Sequence, residues 1–146
     1  MIFSLTEIFS NAQAVTATTA STNIYDSGAT GTVYGASAAI RRDLGKGNPL
    51  PLAIRVVQSF NNLTSMVITY EVADDAAFSV NKTTVASSPT YALADLAVGA
   101  RHLLPDFVPE GADRRYHRLL YTLSGSAPTT GQITAGFAVG QTNSIY

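Results

Sequence analysis

The stretch Tyr116-His-Arg-Leu-Leu-Tyr-Thr-Leu123 carries the strongest strand pattern in this chain. Side chains of an extended strand alternate between its two faces. Leu119, Tyr121 and Leu123 share one face, and Tyr116 and Leu120 lie on the other. Because both faces are substantially apolar, the pattern predicts a strand in the middle of a β-sheet.

Other strands are predicted on both sides of this stretch. Alternating apolar residues mark Leu52–Phe60, Met66–Val72 and Ile133–Val139, and such alternation indicates half-buried strands. The short connection at residues 61–64 predicts that the first two of these strands form a hairpin.

Shorter elements and turns complete the pattern. A short strand is expected over Thr83–Ala86, and Ala92–Ala97 fits either one helical turn or a strand. No window offers a long amphipathic helix, and segments rich in glycine and proline separate the predicted elements. Roughly seven or eight short strands with such turns predict an all-β sandwich or barrel.

Residues 1–22 differ from the rest of the chain. Large apolar residues lie near the start of this segment: Ile2, Phe3, Leu5, Ile8 and Phe9. The small polar residues that follow offer them no local core, so they must fold back on the domain or dock on another protein. We predict an extended N-terminal arm over residues 1–22 and a single β-sandwich domain over 23–146. The alternative is that Ile2 to Phe9 form the first strand of the sandwich.

The composition limits the classes of function. A chain of 146 residues has room for one domain with a core. Only 13% of the residues are charged and the net charge is −1, so the basic excess of a nucleic-acid-binding protein is missing. A surface with few charges is easier to desolvate, which favours contact with other proteins. The sequence has neither a membrane-spanning apolar stretch nor a secretory signal, so we expect no membrane contact.

The sequence motifs of common catalytic and metal sites are missing, although serine, histidine and aspartate are all present and residue types alone leave a Ser-His-Asp triad open. There is no cysteine, and His102 and His117 are the only histidines, too few for the usual metal sites. Gly35-Ala-Ser-Ala-Ala39 fails the last position of a nucleophile elbow, and Asp74-Asp75 lacks the spacing of a calcium loop. His117 is in phase with the apolar residues of its strand and is expected to pack there. We therefore expect no enzyme activity, no cofactor and no metal.

Basic residues concentrate in two segments. Six of the nine lie in a loop before Pro49 or near the strand that starts at Tyr116: Arg41, Arg42, Lys46, Arg114, Arg115 and Arg118. In a chain with few charges, this concentration suggests contact with acidic groups on a partner. The alternative is ion pairing within the chain, with four acidic residues as candidates: Asp43, Asp106, Glu110 and Asp113.

Five stretches of the chain resemble the Bbp16 family of capsid cement (decoration) proteins of tailed bacteriophages. They occur in family order and cover nearly the whole chain: Asn11–Ala17, Asp43–Leu52, Phe78–Ser88, Arg115–Gly125 and Ala127–Gly136. The resemblance implies a non-enzymatic, jelly-roll-like β-sandwich. It also implies an oligomer on the outside of the icosahedral shell that clamps neighbouring major-capsid subunits.

We therefore expect a structural protein of the virion, made in the cytoplasm of the bacterial host and placed on the outer capsid surface. Its expected partners are the major capsid protein and itself, as a homo-oligomer with a dimer favoured. The candidate contact residues are the five apolar residues near the N-terminus and Arg41, Arg42, Lys46, Arg114 and Arg115. The alternative function is a carbohydrate- or receptor-binding module of a phage tail or fibre, because small jelly rolls recur there.

Overall fold

The structure, a computed structural model, describes residues 2–100 and 103–139, which form nine β-strands and one short 3-10 helix. In chain order the strands are β1 (Ile2–Ala14), β2 (Thr19–Ala20), β3 (Tyr25–Asp26), β4 (Leu52–Gln58), β5 (Leu63–Ala73), β6 (Thr83–Ser87), β7 (Tyr91–Ala92), β8 (Tyr116–Gly125) and β9 (Gln132–Val139). The 3-10 helix spans Leu93–Leu96, so the ambiguous segment at 92–97 is mainly a helical turn. Strands β6, β8 and β9 confirm the predictions for their stretches.

The strands form two antiparallel sheets. One has the order β1-β9-β4, and the other has the order β2-β8-β5-β6, with β3 also paired to β8 and β7 to β5. β8 therefore lies inside its sheet, as its two apolar faces predicted. The two sheets, with no α-helix among the described residues, confirm the all-β sandwich. The jelly-roll topology stays a prediction.

The hydrophobic core lies between the sheets. On β5, Met66, Ile68 and Tyr70 are completely buried, while Val67 and Thr69 between them are half-exposed on the other face. The other sheet contributes buried side chains from all three of its strands: Phe9, Leu52, Ile54, Val56, Ile133, Ala135 and Phe137. Alternation along each strand thus supplies one apolar face for the shared core.

The predicted hairpin of β4 and β5 is wrong, because the two strands lie in different sheets. β4 pairs with β9, and β5 pairs with β8. The connection crosses the sandwich: Phe60 is buried in the core, and the Asn61 side chain accepts hydrogen bonds from the N–H groups of Thr129 and Thr130 at 2.8 and 3.1 Å. These contacts anchor the connection to the loop between β8 and β9. They therefore favour a connection that crosses between the sheets, rather than a tight hairpin turn.

The N-terminal segment differs from the predicted arm. β1 pairs with β9, with register irregularities after Phe3, and β2 pairs with β8. Residues 2–14 are therefore an extended strand of the sandwich, and the sheets show no boundary between residues 22 and 23. Ile2 to Phe9 thus form the first strand, which was the alternative interpretation.

Hydrogen bonds of the small polar residues explain this difference. The Ser10 hydroxyl lies 2.8 Å from the buried Tyr121 hydroxyl. The Gln13 side chain accepts a hydrogen bond of 2.8 Å from the Thr22 N–H and donates one of 2.9 Å to the Ala20 carbonyl. Polar side chains, rather than a local apolar core, fasten this segment to the domain.

Candidate functional site

Two basic segments that are far apart in the sequence meet at one open cleft. The cleft has a volume of about 410 Å³ and is lined by residues 27–30, 39–42 and 113–115 together with Asp74. Four of the five predicted basic contact residues line it: Arg41, Arg42, Arg114 and Arg115. Lys46, the fifth, is exposed and lies outside this lining.

Strand pairing brings these segments together. Asp26, the last residue of β3, pairs with Tyr116 at the start of β8, and the last residue of β5 also pairs with Tyr116. The residues before β8 therefore lie beside those that follow β3 and β5. The Ser27 N–H donates a hydrogen bond of 2.9 Å to the Arg115 carbonyl. The Arg42 guanidinium in turn donates one of 2.8 Å to the Ser27 carbonyl, which fixes the loop at 39–42.

Arg115 forms a two-pronged ion pair with Asp26. Its Nε lies 2.7 Å from Oδ1 and its Nη2 lies 2.8 Å from Oδ2 of the carboxylate. The hydrogen bonds from Arg115 lower the pKa of Asp26 to about 2, and the same pairing raises the pKa of Arg115. Both side chains are therefore charged at neutral pH. Two parallel bonds also fix the plane of the guanidinium at the cleft wall.

Arg114 is held in the same way by Asp74, in the turn after β5. Its Nη1 lies 2.6 Å from Oδ2 of Asp74, and the Asn81 amide donates to the same oxygen at 2.7 Å. Hydrogen bonds from Asn81 and Arg114 lower the pKa of the Asp74 carboxyl. This wall of the cleft is therefore an ordered pair of opposite charges.

The positive charges of the other two arginines, Arg41 and Arg42, are less fully neutralised by carboxylates. Arg41 pairs with Asp113 at 3.2 Å, and 72% of its side chain is exposed. Arg42 donates to a main-chain carbonyl rather than to a carboxylate. Four guanidinium groups thus line the cleft, and three of them pair with carboxylates, those of Asp26, Asp74 and Asp113. An open site with one excess guanidinium suits the binding of a carboxylate or another anion.

Ion pairing within the chain is observed, but mostly with acidic residues that the sequence did not indicate. Asp113 pairs with Arg41 as expected. Asp43 instead accepts hydrogen bonds from two glycine N–H groups. Asp106 and Glu110 form no ion pair among the residues that the structure describes.

The actual partners are distant in the sequence. Asp26 is 89 positions from Arg115, and Asp74 is 40 positions from Arg114, so no local spacing could indicate these pairs. Arg118 pairs at 2.7 Å with Glu71, whose side chain is buried, and it does not line the cleft. Only the register of β3, β5 and β8 identifies these pairs.

The five apolar residues predicted as contacts near the N-terminus have different surroundings. Ile2 and Leu5 are largely exposed, at 73% and 84%. Phe3 and Ile8 are half-buried, and Phe9 has no exposed surface. Phe9 is therefore a core residue that cannot contact a partner in this fold. Ile2 and Leu5 remain accessible for such a contact.

A second recess lies beside β1 and β9 and is mainly apolar. It also has a volume of about 410 Å³, and its lining includes an exposed strand end and two aromatic rings: Ser4, Glu7, Tyr25, Leu50, Pro51, Phe137, Ala138 and Val139. An open recess with an aromatic ring and a carboxylate has the ingredients of a weak sugar site.

His117 packs in its strand, as its position predicted. It is completely buried, and its Nδ1 lies 3.1 Å from the Tyr70 hydroxyl. The rings of Tyr25 and Tyr70 lie 5.7 and 5.9 Å from the imidazole. Among residues 2–100 and 103–139, no group of three or more histidine and acidic side chains could hold a metal ion. No helix in this part of the chain is long and apolar enough to cross a membrane.

A protein-family model matches most of this chain. No curated protein matches the chain. The model of the Bbp16 family matches residues 9–137, which include all four arginines of the cleft and all the strands except the first seven residues of β1 and the last two of β9. The chain therefore belongs to the Bbp16 family.

Proposed function

We propose that this protein is a non-enzymatic capsid cement protein, which binds the outside of a tailed-phage shell and stabilises contacts between major-capsid subunits. Membership of the Bbp16 family is the observation that carries the proposal. The role itself comes from the resemblance of the chain to cement proteins of that family. It also fits the architecture, since cement needs a stable scaffold with adhesive surfaces and no enclosed reaction site.

Three physical features support this role. The two sheets share one continuous core, which gives a stiff scaffold. The surface carries few charges, so little desolvation opposes contact with another protein. The cleft offers exposed guanidinium groups to acidic side chains of a shell.

Assembly on a lattice explains how modest contacts are sufficient. In this proposal the protein is a homo-oligomer, most simply a dimer, on the outer surface of the virion. Several linked contacts on a symmetric shell act together, so their combined affinity exceeds that of each one. An oligomer that matches a local symmetry axis gains this effect with a small interface per subunit.

The first prediction concerns shell stability. Shells that lack this protein should rupture at a lower temperature than complete shells, by several degrees, because the subunit contacts lose their clamp. The test heats shells that contain packaged DNA, with and without added protein, and follows the fluorescence of a DNA-binding dye that reports release of the DNA. Equal rupture temperatures for both kinds of shell, with the protein bound, would contradict a cement role.

The second prediction concerns the basic cleft. Arg41→Ala combined with Arg42→Ala should weaken shell binding about tenfold or more, since hydrogen bonds to charged groups contribute about 1.5–3 kcal/mol each. The free energy of unfolding should change by less than about 1 kcal/mol, because exposed ion pairs contribute little. Sedimentation with shells and thermal melting measure the two effects.

Lys46→Ala is the matched control for this experiment. Lys46 is an exposed cation on the same loop, outside the cleft lining, so its loss should leave shell binding nearly unchanged. A lower melting temperature with intact shell affinity in the double variant would show that Arg41 and Arg42 serve the fold instead.

A carbohydrate-binding role is the second candidate function. The mainly apolar recess with Tyr25 and Glu7 favours it, since sugars stack on aromatic rings and hydrogen-bond to carboxylates. A glycan array distinguishes the two functions. Selective binding of a glycan at millimolar or lower concentration, lost in Tyr25→Ala, would favour this candidate, whereas a blank array supports the cement proposal.

A further inference from the structure

A small β-hairpin projects from the sandwich beside the basic cleft. Thr32 and Ala39 form an antiparallel bridge, and the Ile40 N–H donates to the Gly31 carbonyl at 3.1 Å. The tip closes through a 2.9 Å hydrogen bond from the Ala36 N–H to the Val33 carbonyl. Every residue from 31 to 40 is exposed. We name residues 31–40 the docking hairpin.

The tip of the docking hairpin presents an aromatic side chain to solvent. Tyr34 is as exposed as in an extended peptide, at 104%, and Val33 beside it is 54% exposed. Gly35 follows with φ of 81°, a left-handed conformation that glycine adopts without strain and that allows the tight turn. Nothing in the described fold covers the Tyr34 ring, so the fold itself does not require it.

The docking hairpin and the basic cleft form one continuous surface. The last two residues of the hairpin, Ala39 and Ile40, line the cleft and lead directly into Arg41 and Arg42. An exposed aromatic residue beside arginines is the composition of binding hot spots, because both provide large contact areas. Tyrosine also loses little side-chain entropy when a partner immobilises it.

The charges of the chain indicate what kind of partner fits this surface. Within the described part of the chain, Arg42 has no carboxylate partner, so the cleft carries one more guanidinium than carboxylates and is complementary to a partner with acidic side chains. Seven of the ten acidic side chains of this chain already accept hydrogen bonds or ion pairs within it: Asp26, Asp43, Glu71, Asp74, Asp75, Asp95 and Asp113. A second copy therefore has few free carboxylates to offer. A different protein with an acidic surface is the better match.

We propose that the docking hairpin inserts Tyr34 into an apolar recess of a partner protein, while acidic residues around that recess bind Arg41 and Arg42. This inference rests on the proposed function, which makes that partner a shell subunit. The inference goes beyond the proposed function because it names the side chain that is inserted and the chemistry of the surface that receives it.

Shell binding by Tyr34 variants tests the inference. Tyr34→Ala should weaken binding to purified shells at least tenfold, because it removes the anchor, while Tyr34→Phe should keep most of the affinity. The melting temperature should stay within about 1–2 °C of the wild type, as expected for a side chain outside the core. Val98→Ala is the matched control: the Val98 side chain is 63% exposed, and its main-chain N–H donates a hydrogen bond to the Ser59 hydroxyl, at the end of the sandwich away from the start of β8.

The outcomes separate this inference from the proposed function. If the wild type binds shells and Tyr34→Ala binds equally well, the inference is wrong and the cement role stands. If neither the wild type nor any variant binds shells, the proposed function fails and the inference fails with it. A photo-crosslinking amino acid at position 34 identifies the contacted chain. A crosslink to the shell subunit supports the inference, and a crosslink to a second copy of this chain overturns it.

Discussion

Phe9→Ala is expected to lower the free energy of unfolding by about 3–5 kcal/mol, the range for removing a buried phenylalanine ring. Phe9 has no exposed surface. Its ring lies edge-on to Phe137 at 5.3 Å and to Tyr70 at 6.1 Å, so it joins residues of both sheets. The variant would leave a cavity between the sheets that they cannot close without losing their other contacts.

Thermal and urea unfolding measure this loss. For a domain of this size the melting temperature should fall by roughly 10 °C. Leu5→Ala is the matched control on the same strand, because Leu5 is 84% exposed and its removal should change the free energy by no more than about 0.5 kcal/mol. Deletion of residues 1–10 should be still more destabilising, since it removes Phe9 from the core and most of the pairing between β1 and β9. A truncated protein that melts like the wild type would show that the segment is a separate arm.

Phe9 also illustrates what local sequence could not reveal. Its burial depends on pairing between β1 and β9, which lie at opposite ends of the chain. The sequence near Phe9 shows apolar residues without clear alternation, because the register of β1 shifts after Phe3. An irregular edge strand therefore looks like an unstructured arm when only its own residues are considered.

The strands with regular alternation were predictable. β8 and β9 alternate without interruption and lie inside their sheets, so local pattern and tertiary position agree. The pairing of strands was not predictable to the same degree. β4 and β5 each need one buried face, and that requirement is the same whether they lie side by side or face each other across the core.

The cleft was predictable only in part, because the sequence shows its basic segments but not the strand pairing that brings them together. Arg41 with Arg42, and Arg114 with Arg115, are visible as basic segments, but their meeting depends on the pairing of β3 and β5 with β8. The sequence did not indicate the docking hairpin, because its residues are small or polar apart from Val33 and Tyr34 at the tip and Ile40 at its end. The sequence around Tyr34 is that of an ordinary turn. Only the structure shows that the Tyr34 side chain is fully exposed.

The second large effect is expected in the stability of the protein between pH 6.5 and pH 4. Burial disfavours the charged imidazole and lowers the pKa of His117 from 6.5 to about 4, while the backbone of Arg114 and the carboxylates of Asp26 and Asp43 partly oppose this shift. Above pH 6.5 the histidine is neutral in both the folded and the unfolded chain. Below that pH the unfolded chain binds a proton that the folded chain does not, so the free energy of unfolding falls as the pH falls.

The expected loss from His117 is about 3 kcal/mol by pH 4, since one pKa unit corresponds to about 1.4 kcal/mol. His117→Gln is the matched variant, because glutamine can still hydrogen-bond to the Tyr70 hydroxyl but does not titrate. Urea unfolding at several pH values should show a steeper decline for the wild type than for the variant in this window. Parallel declines would contradict the assignment to His117. A nuclear magnetic resonance titration of the wild-type imidazole provides a measurement that does not depend on the variant's folding: a midpoint near 6.5 would equally contradict it, and one near 4 would support it.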